Sequence, residues 1–176
     1  IDSARREGME IPVRHRNQLA SRRIEVLLLP PLDVDNLLEV LAKIESKPRT
    51  DTDPYFKRSL KMILATAGRA LLEEPRESPL IPVSIHAIRR AGALLMGTSP
   101  MESDLSDPEQ WLILRTMALA EKQAYSVNGD FEAGEKAFAF YSALVQSRPK
   151  DIRSLNGLVT MGQATGRLEQ AIDAQR

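Results

Sequence analysis

Apolar residues recur along most of this chain at spacings of three and four. In "DTDPYFKRSLKMILATAGRALLEE" they fall at Phe56, Leu60, Ile63, Leu64, Ala67 and Leu71, along one side of an α-helix. Asp53 is placed to cap that helix, Pro54 suits its first position, where a missing N–H costs nothing, and Pro75 ends it after about Glu74. A second Asp-Pro start, Asp107-Pro108, opens a helix to about Val127. Glu109 lies in its first turn, where the helix dipole favours a carboxylate, and Asn128-Gly129 makes the turn. Shorter helices are predicted over 33–46, with Leu37, Leu38, Leu41 and Ile44 on one face, and over 83–96, with Ile85, Ile88, Leu94 and Leu95. Residues 16–29 are also read as helical. Two-residue alternation is nearly absent, and no Asn-Gly separates strand-like runs. The fold class expected is therefore all-α. Polar, Pro-rich linkers are expected at 47–53, 75–82 and 97–107. The last, "GTSPMESDLSD", is the best boundary between an N-terminal helical region, 1–106, and a C-terminal part, 107–176.

After residue 107 the helices come in pairs joined by glycine turns. The first unit, "NGDFEAGEKAFAFYSALVQSRP", places Ala137, Tyr141, Leu144 and Pro149 at the spacing A-x3-F/Y-x2-A-x4-P. The second, "KDIRSLNGLVTMGQATGRLEQAIDAQ", carries Leu155 and Leu158, a turn glycine at Gly166, then Leu168, Ala171 and Ile172. Over about 69 residues this pattern resembles the tetratricopeptide repeat, a helix–turn–helix unit of about 34 residues. The departure is Gly129, which lies three residues too early for the register set by Pro149. Tyr125 fits the family's aromatic counted from Gly129 but not from Pro149, so the register of helix 108–127 stays open. The resemblance implies antiparallel helical hairpins in a right-handed solenoid, packed on the N-terminal region. It also implies a concave surface for an extended peptide or partner helix. Some family members clamp a C-terminal carboxylate with Lys and Asn. Lys122 stands at the clamp lysine in the Pro149 register, but Ser126 replaces the next Asn and Asn156 is displaced by one from position 157, so no such clamp is expected.

The spacing within 151–164 supports a binding face without the family. Leu155, Leu158, Val159 and Gly162 share one side; Arg153, Asn156, Thr160 and Gln163 form a polar stripe on another. That stripe and Lys122 are the candidate partner-binding residues. The plainer reading makes the stripe a solvated face. Gly166 is expected at positive φ, which is cheap only for glycine, whereas Ala at Gly92, inside a helix, is expected to be neutral or better. The pattern breaks off within helix 167–176, which bears Leu168, Ala171, Ile172 and Ala174. A further helix pair is therefore expected beyond residue 176; without it this end should fray or self-associate with another copy.

Composition narrows the classes. Hydrophobic residues at 43% and charged residues at 27% can build a core. With 24 Lys and Arg against 24 Asp and Glu the net charge is zero, which argues against a nucleic-acid binder. Cysteine is absent, which removes disulfides, thiolate metal sites and a cysteine nucleophile. The longest apolar stretch, "IEVLLLPPL", is far short of the ~20 residues a membrane helix needs. The first 25 residues hold six Arg and His15 against Asp2, Glu7, Glu10 and Glu25. That is read as a solvated helix face, with the flank of a transit peptide or membrane anchor as the alternative. His86, between Ile85 and Ile88, has no carboxylate three or four residues away and reads as a packed or rim histidine. The acidic clusters Asp33/Asp35, Asp51/Asp53 and Asp104/Asp107/Glu109 all precede helices, as caps do, and lack calcium-loop spacing. No phosphate loop, dinucleotide fingerprint or nucleophile elbow occurs. The function expected is a non-catalytic protein–protein interaction module, a scaffold or adaptor binding a peptide or partner helix, with no cofactor or metal. The rivals are a regulatory or docking region of a larger enzyme and, less favoured, a helical nucleic-acid-binding regulator.

Overall fold

The computed structural model describes residues 13–28, 32–45, 53–97 and 99–173. Among them all regular structure is helical: α1 Val13–Leu27, α2 Val34–Glu45, α3 Pro54–Glu73, α4 Leu80–Met96, a short 3-10 turn Pro100–Glu102, α5 Pro108–Asn128, α6 Phe131–Ser147, α7 Ile152–Ala164 and α8 Leu168–Asp173. The linker expected at 47–53 lies outside the described residues except for Asp53, as do Asp51, Ala174 and the arginine-rich start before residue 13.

Helix starts follow the side chains that satisfy the first free N–H groups. Asp53 accepts from the Tyr55 N–H at 3.0 Å and Asp107 from the Glu109 N–H at 2.9 Å, each with proline at the first position. Asp33 does the same for Asn36 at 2.7 Å. Two further caps were not singled out in the sequence. Asp130 accepts from Ala133 at 3.1 Å and Asp151 from Ser154 at 2.8 Å. At the other end, Gly129 takes φ 66° and its N–H donates to the Tyr125 carbonyl at 2.8 Å, closing α5. Gly166, at φ 74°, makes the turn between α7 and α8 as expected. The helix expected from residue 83 begins at Leu80, because Pro82 lies in the first turn, where it needs no partner for an N–H. In α2 the buried set is Leu37, Val40, Leu41 and Ile44, so the expected Leu38 gives way to Val40 and faces solvent. His86 is likewise exposed, while Ile85 and Ile88 are buried.

Helices that follow one another pack together from α3 onward, and so do α1 with α2 and α3, α2 with α4, α3 with α5, and α5 with α7. One hydrophobic core runs through these contacts from Ile24 to Ala171 and crosses the 97–107 linker, where α4 lies on α5. Glycines let the helices close up. A Cβ on Gly68 would sit 3.2 Å from Thr116, on Gly134 2.8 Å from Tyr125, and on Gly162 2.8 Å from Ala171. Gly92 sets a close contact against the helix-propensity gain expected of alanine there. It is buried, and a Cβ would come 2.5 Å from the Met117 sulfur, because α4 and α5 meet at that point. The same pair of helices is tied by Arg89, which donates to Glu121 at 2.8 and 2.5 Å in a bidentate pair with Glu121 almost fully buried. That hydrogen bonding raises the Arg89 guanidinium above its ordinary pKa. On α8, Ala171 is fully buried, and Leu168 and Ile172 are exposed.

A candidate binding groove between alternate helices

α5 is apolar on two sides. One carries Leu114, Ala118 and Ala124 into the core. The other turns Leu112, Thr116 and Leu119 toward α3, where Ala65, Gly68 and Leu72 stand at matching intervals. Between them, and bounded by α7, runs a groove of about 1090 Å³. Gly68 sets its depth, because the missing side chain lets Thr116 approach α3. Leu72 and Leu112 are 69% and 55% exposed within it. Leucines that open to water inside a concave surface are a feature of binding sites more than of bare protein surface.

The far wall is Tyr141 of α6 beneath Gly157 of α7. A Cβ on Gly157 would stand 2.4 Å from the Tyr141 ring. Burial pushes the Tyr141 phenol up to about 12, against a smaller downward pull from Arg115. Arg115 also lies 5.3 Å from the Trp111 ring centroid, and Arg148 stands 4.5 Å from the same ring. At the start of α7, burial pushes the Asp151 carboxyl up. Hydrogen bonding from Ser154 and the charges of Arg115 and Arg153 outweigh it and hold the carboxyl below its ordinary value.

Charge in the groove is one-sided. Five lining side chains are cationic, against the two carboxylates of Glu73 and Glu109. Lys61 bridges to Glu109 at 2.6 Å, joining α3 to α5. Arg69, Lys122 and Arg153 form no salt bridge among the described residues. The surface offers alkyl contact and cationic donors together.

Of the residues singled out from sequence, Lys122 of α5 and Arg153 and Asn156 of α7 line this groove together. Thr160 and Gln163 continue the exposed side of α7 but do not line it. The Thr160 hydroxyl donates to the Asn156 carbonyl at 2.7 Å, inside its own helix. The α3 wall and Leu112 were not foreseen. The available signal was a second stripe on α3, at Lys61, Ala65, Arg69 and Leu72, spaced by four, four and three. Among the described residues no group of three or more His, Asp or Glu could hold a metal ion, and no helix is long and apolar enough to cross a membrane. Compared with known proteins, the chain matches no protein-family model, no curated protein and no solved structure.

Proposed function

We propose that the chain is a protein-interaction module of tetratricopeptide-like design, which holds a peptide or partner helix in the groove between α3, α5 and α7. The observation that carries this reading is the pair of exposed leucines, Leu72 on α3 and Leu112 on α5, in a concave surface with Arg69, Lys122 and Arg153 around them, none of which forms a salt bridge among the described residues. The order of the helices supports the repeat design. Alternate helices, α3, α5 and α7, supply almost all of the groove, while α4 and α6 pack between and behind them. The glycine turns at Gly129 and Gly166 suit paired helices.

Selection of displayed random peptides on the immobilised chain tests the reading. Enriched peptides are expected to lose at least tenfold in affinity on Leu72→Asp or Leu112→Asp, since each removes apolar contact and adds a charge to be desolvated. They are expected to bind Leu38→Asp, an exposed site on α2, unchanged. Peptides that bind all three variants as well as the parent would overturn the groove as the site. Circular dichroism of each variant confirms that exposed substitutions leave the helices intact.

A further inference from the structure

Resting on that reading, we infer that the groove's partner is an acidic amphipathic helix, with apolar side chains on Leu72 and Leu112 and carboxylates meeting Arg69, Lys122 and Arg153.

Charge complementarity decides the sign. The whole chain is neutral, so five cations against two carboxylates in one groove is a local separation of charge, balanced by acidic residues elsewhere. One cation, Lys61, is already neutralised by Glu109. Arg115 lies against the Trp111 ring. That leaves Arg69 on α3, Lys122 on α5 and Arg153 on α7, one from each wall, none in a salt bridge among the described residues, with Asp151 near Arg153 and Glu73 one turn from Arg69 as the carboxylates at hand. Each carries a charge that a basic or neutral partner would leave unanswered and an acidic one would meet. Such pairing adds specificity and association rate, at an apolar contact that supplies the area.

Dimensions decide the form. The lining of α3 runs from Lys61 to Glu73, which at a rise of ~1.5 Å per residue is roughly 18 Å, three helical turns. A helix of that length and ~10 Å across could lie along the groove between α3 and α5, with its outer face left in water. The occupant therefore needs one apolar stripe, acidic flanks and a polar back, which is an amphipathic helix in a groove. Nucleic acid fits less well, because exposed leucines offer phosphates nothing and Tyr141, the only aromatic in the lining, is buried.

The test uses three labelled peptides of about 14 residues, long enough for three turns, with capped ends so that no terminal carboxylate takes part. All share one Leu/Ala stripe, and their flanks are Glu, Gln or Lys. Fluorescence anisotropy with the full chain is expected to rank them Glu, Gln, Lys, with at least tenfold between the first and last at low salt. The gap should narrow several-fold when the Debye length falls from ~14 to ~6 Å. Arg69→Glu/Lys122→Glu should reverse the order, and Lys136→Glu on the far side of α6 should leave it unchanged. If the Glu and Gln peptides bind equally, and Leu112→Asp weakens both, the acidic partner is wrong and the groove reading survives. If none of the three binds, and the displayed library also enriches nothing, both fall. If a single-stranded oligonucleotide displaces the Glu peptide and binds more tightly than it does, the partner is a nucleic acid and the inference is overturned.

Discussion

Replacing Gly157 by alanine sets two well-characterised effects against each other at one atom. Gly157 lies inside α7, where alanine is favoured over glycine by about 1 kcal/mol. The added Cβ, however, would stand 2.4, 2.5 and 2.7 Å from three atoms of the Tyr141 ring, where carbon atoms prefer ~3.5–4.0 Å. A phenol ring 5% exposed has nowhere to swing, so either α7 must lift from α6 or the ring must leave its rotamer. Overpacking of this kind costs about 1–3 kcal/mol. With three ring atoms of a buried phenol in the way, the cost belongs in the upper half of that range, about 2–3 kcal/mol. The net expectation is therefore a loss of about 1–2 kcal/mol, or ~2–8 °C in melting temperature for a chain of this size. Gly92→Ala is the matched control. It gains the same helix propensity, and its new Cβ also falls too close, at 2.5 Å, to the Met117 sulfur. But a methionine side chain has three torsions to move by, so the net change there should stay within about 1 kcal/mol. Urea denaturation of the two variants beside the parent measures both. Gly157→Ala as stable as the parent, or Gly92→Ala more damaging than Gly157→Ala, would refute the claim that ring stiffness decides the cost.

Three further outcomes are expected. Arg89→Met should destabilise by about 3 kcal/mol, because it leaves Glu121 buried without its partner, while Arg89→Met/Glu121→Leu should recover most of the loss in chemical denaturation; equal losses for the single and double variants would show that the stranded Glu121 carboxylate is not the source of the cost. The Tyr141 phenol, about 12 in the folded chain against 10.0 unfolded, binds its proton more tightly when folded, so its contribution is fully present below pH 10 and is lost as pH rises toward 12. Relative to Tyr141→Phe the parent should lose about 2–3 kcal/mol across that window, and a phenolate absorbance near pH 10 that is present in the parent and missing from Tyr141→Phe, while the helices persist, would contradict this. Gly166→Val should cost at least ~1–2 kcal/mol through its φ of 74°, and Gly166→Asn distinctly less; thermal melts that rank them the other way would sink the assignment of strain.

The helices were legible because they are written twice, in periodicity and in punctuation. Asp53-Pro54, Asp107-Pro108 and Gly129 mark ends that the structure places within a residue or two. α4 was misjudged by three residues because Pro82 looks like a stop and is in fact a first-turn residue. Packing was less legible. A buried glycine and a solvent-facing one look alike in sequence, and only the approach of Met117 to Gly92 tells them apart. The groove was half visible. The polar side of α7 showed itself as a stripe, but the periodicity of α3 and α5 singled out neither Leu72 nor Leu112. Which of two apolar faces is covered depends on where the neighbouring helix lies, and that is tertiary information.

The order of helix contacts has a consequence for how the chain comes apart. Each substantial packing joins helices no more than two places apart in the sequence. Contacts so local in sequence close with little loop entropy, so folding should be fast for this length. They also weaken cooperativity, because among the described residues no substantial packing joins α1 or α2 to α7 or α8. α8, with only α7 as a substantial neighbour, can open without disturbing α3 to α5. Hydrogen exchange should therefore show a gradient, with α8 exchanging first and the α4–α5 contact around Glu121 last. A single unfolding free energy would then describe the middle of the chain better than its C-terminal edge.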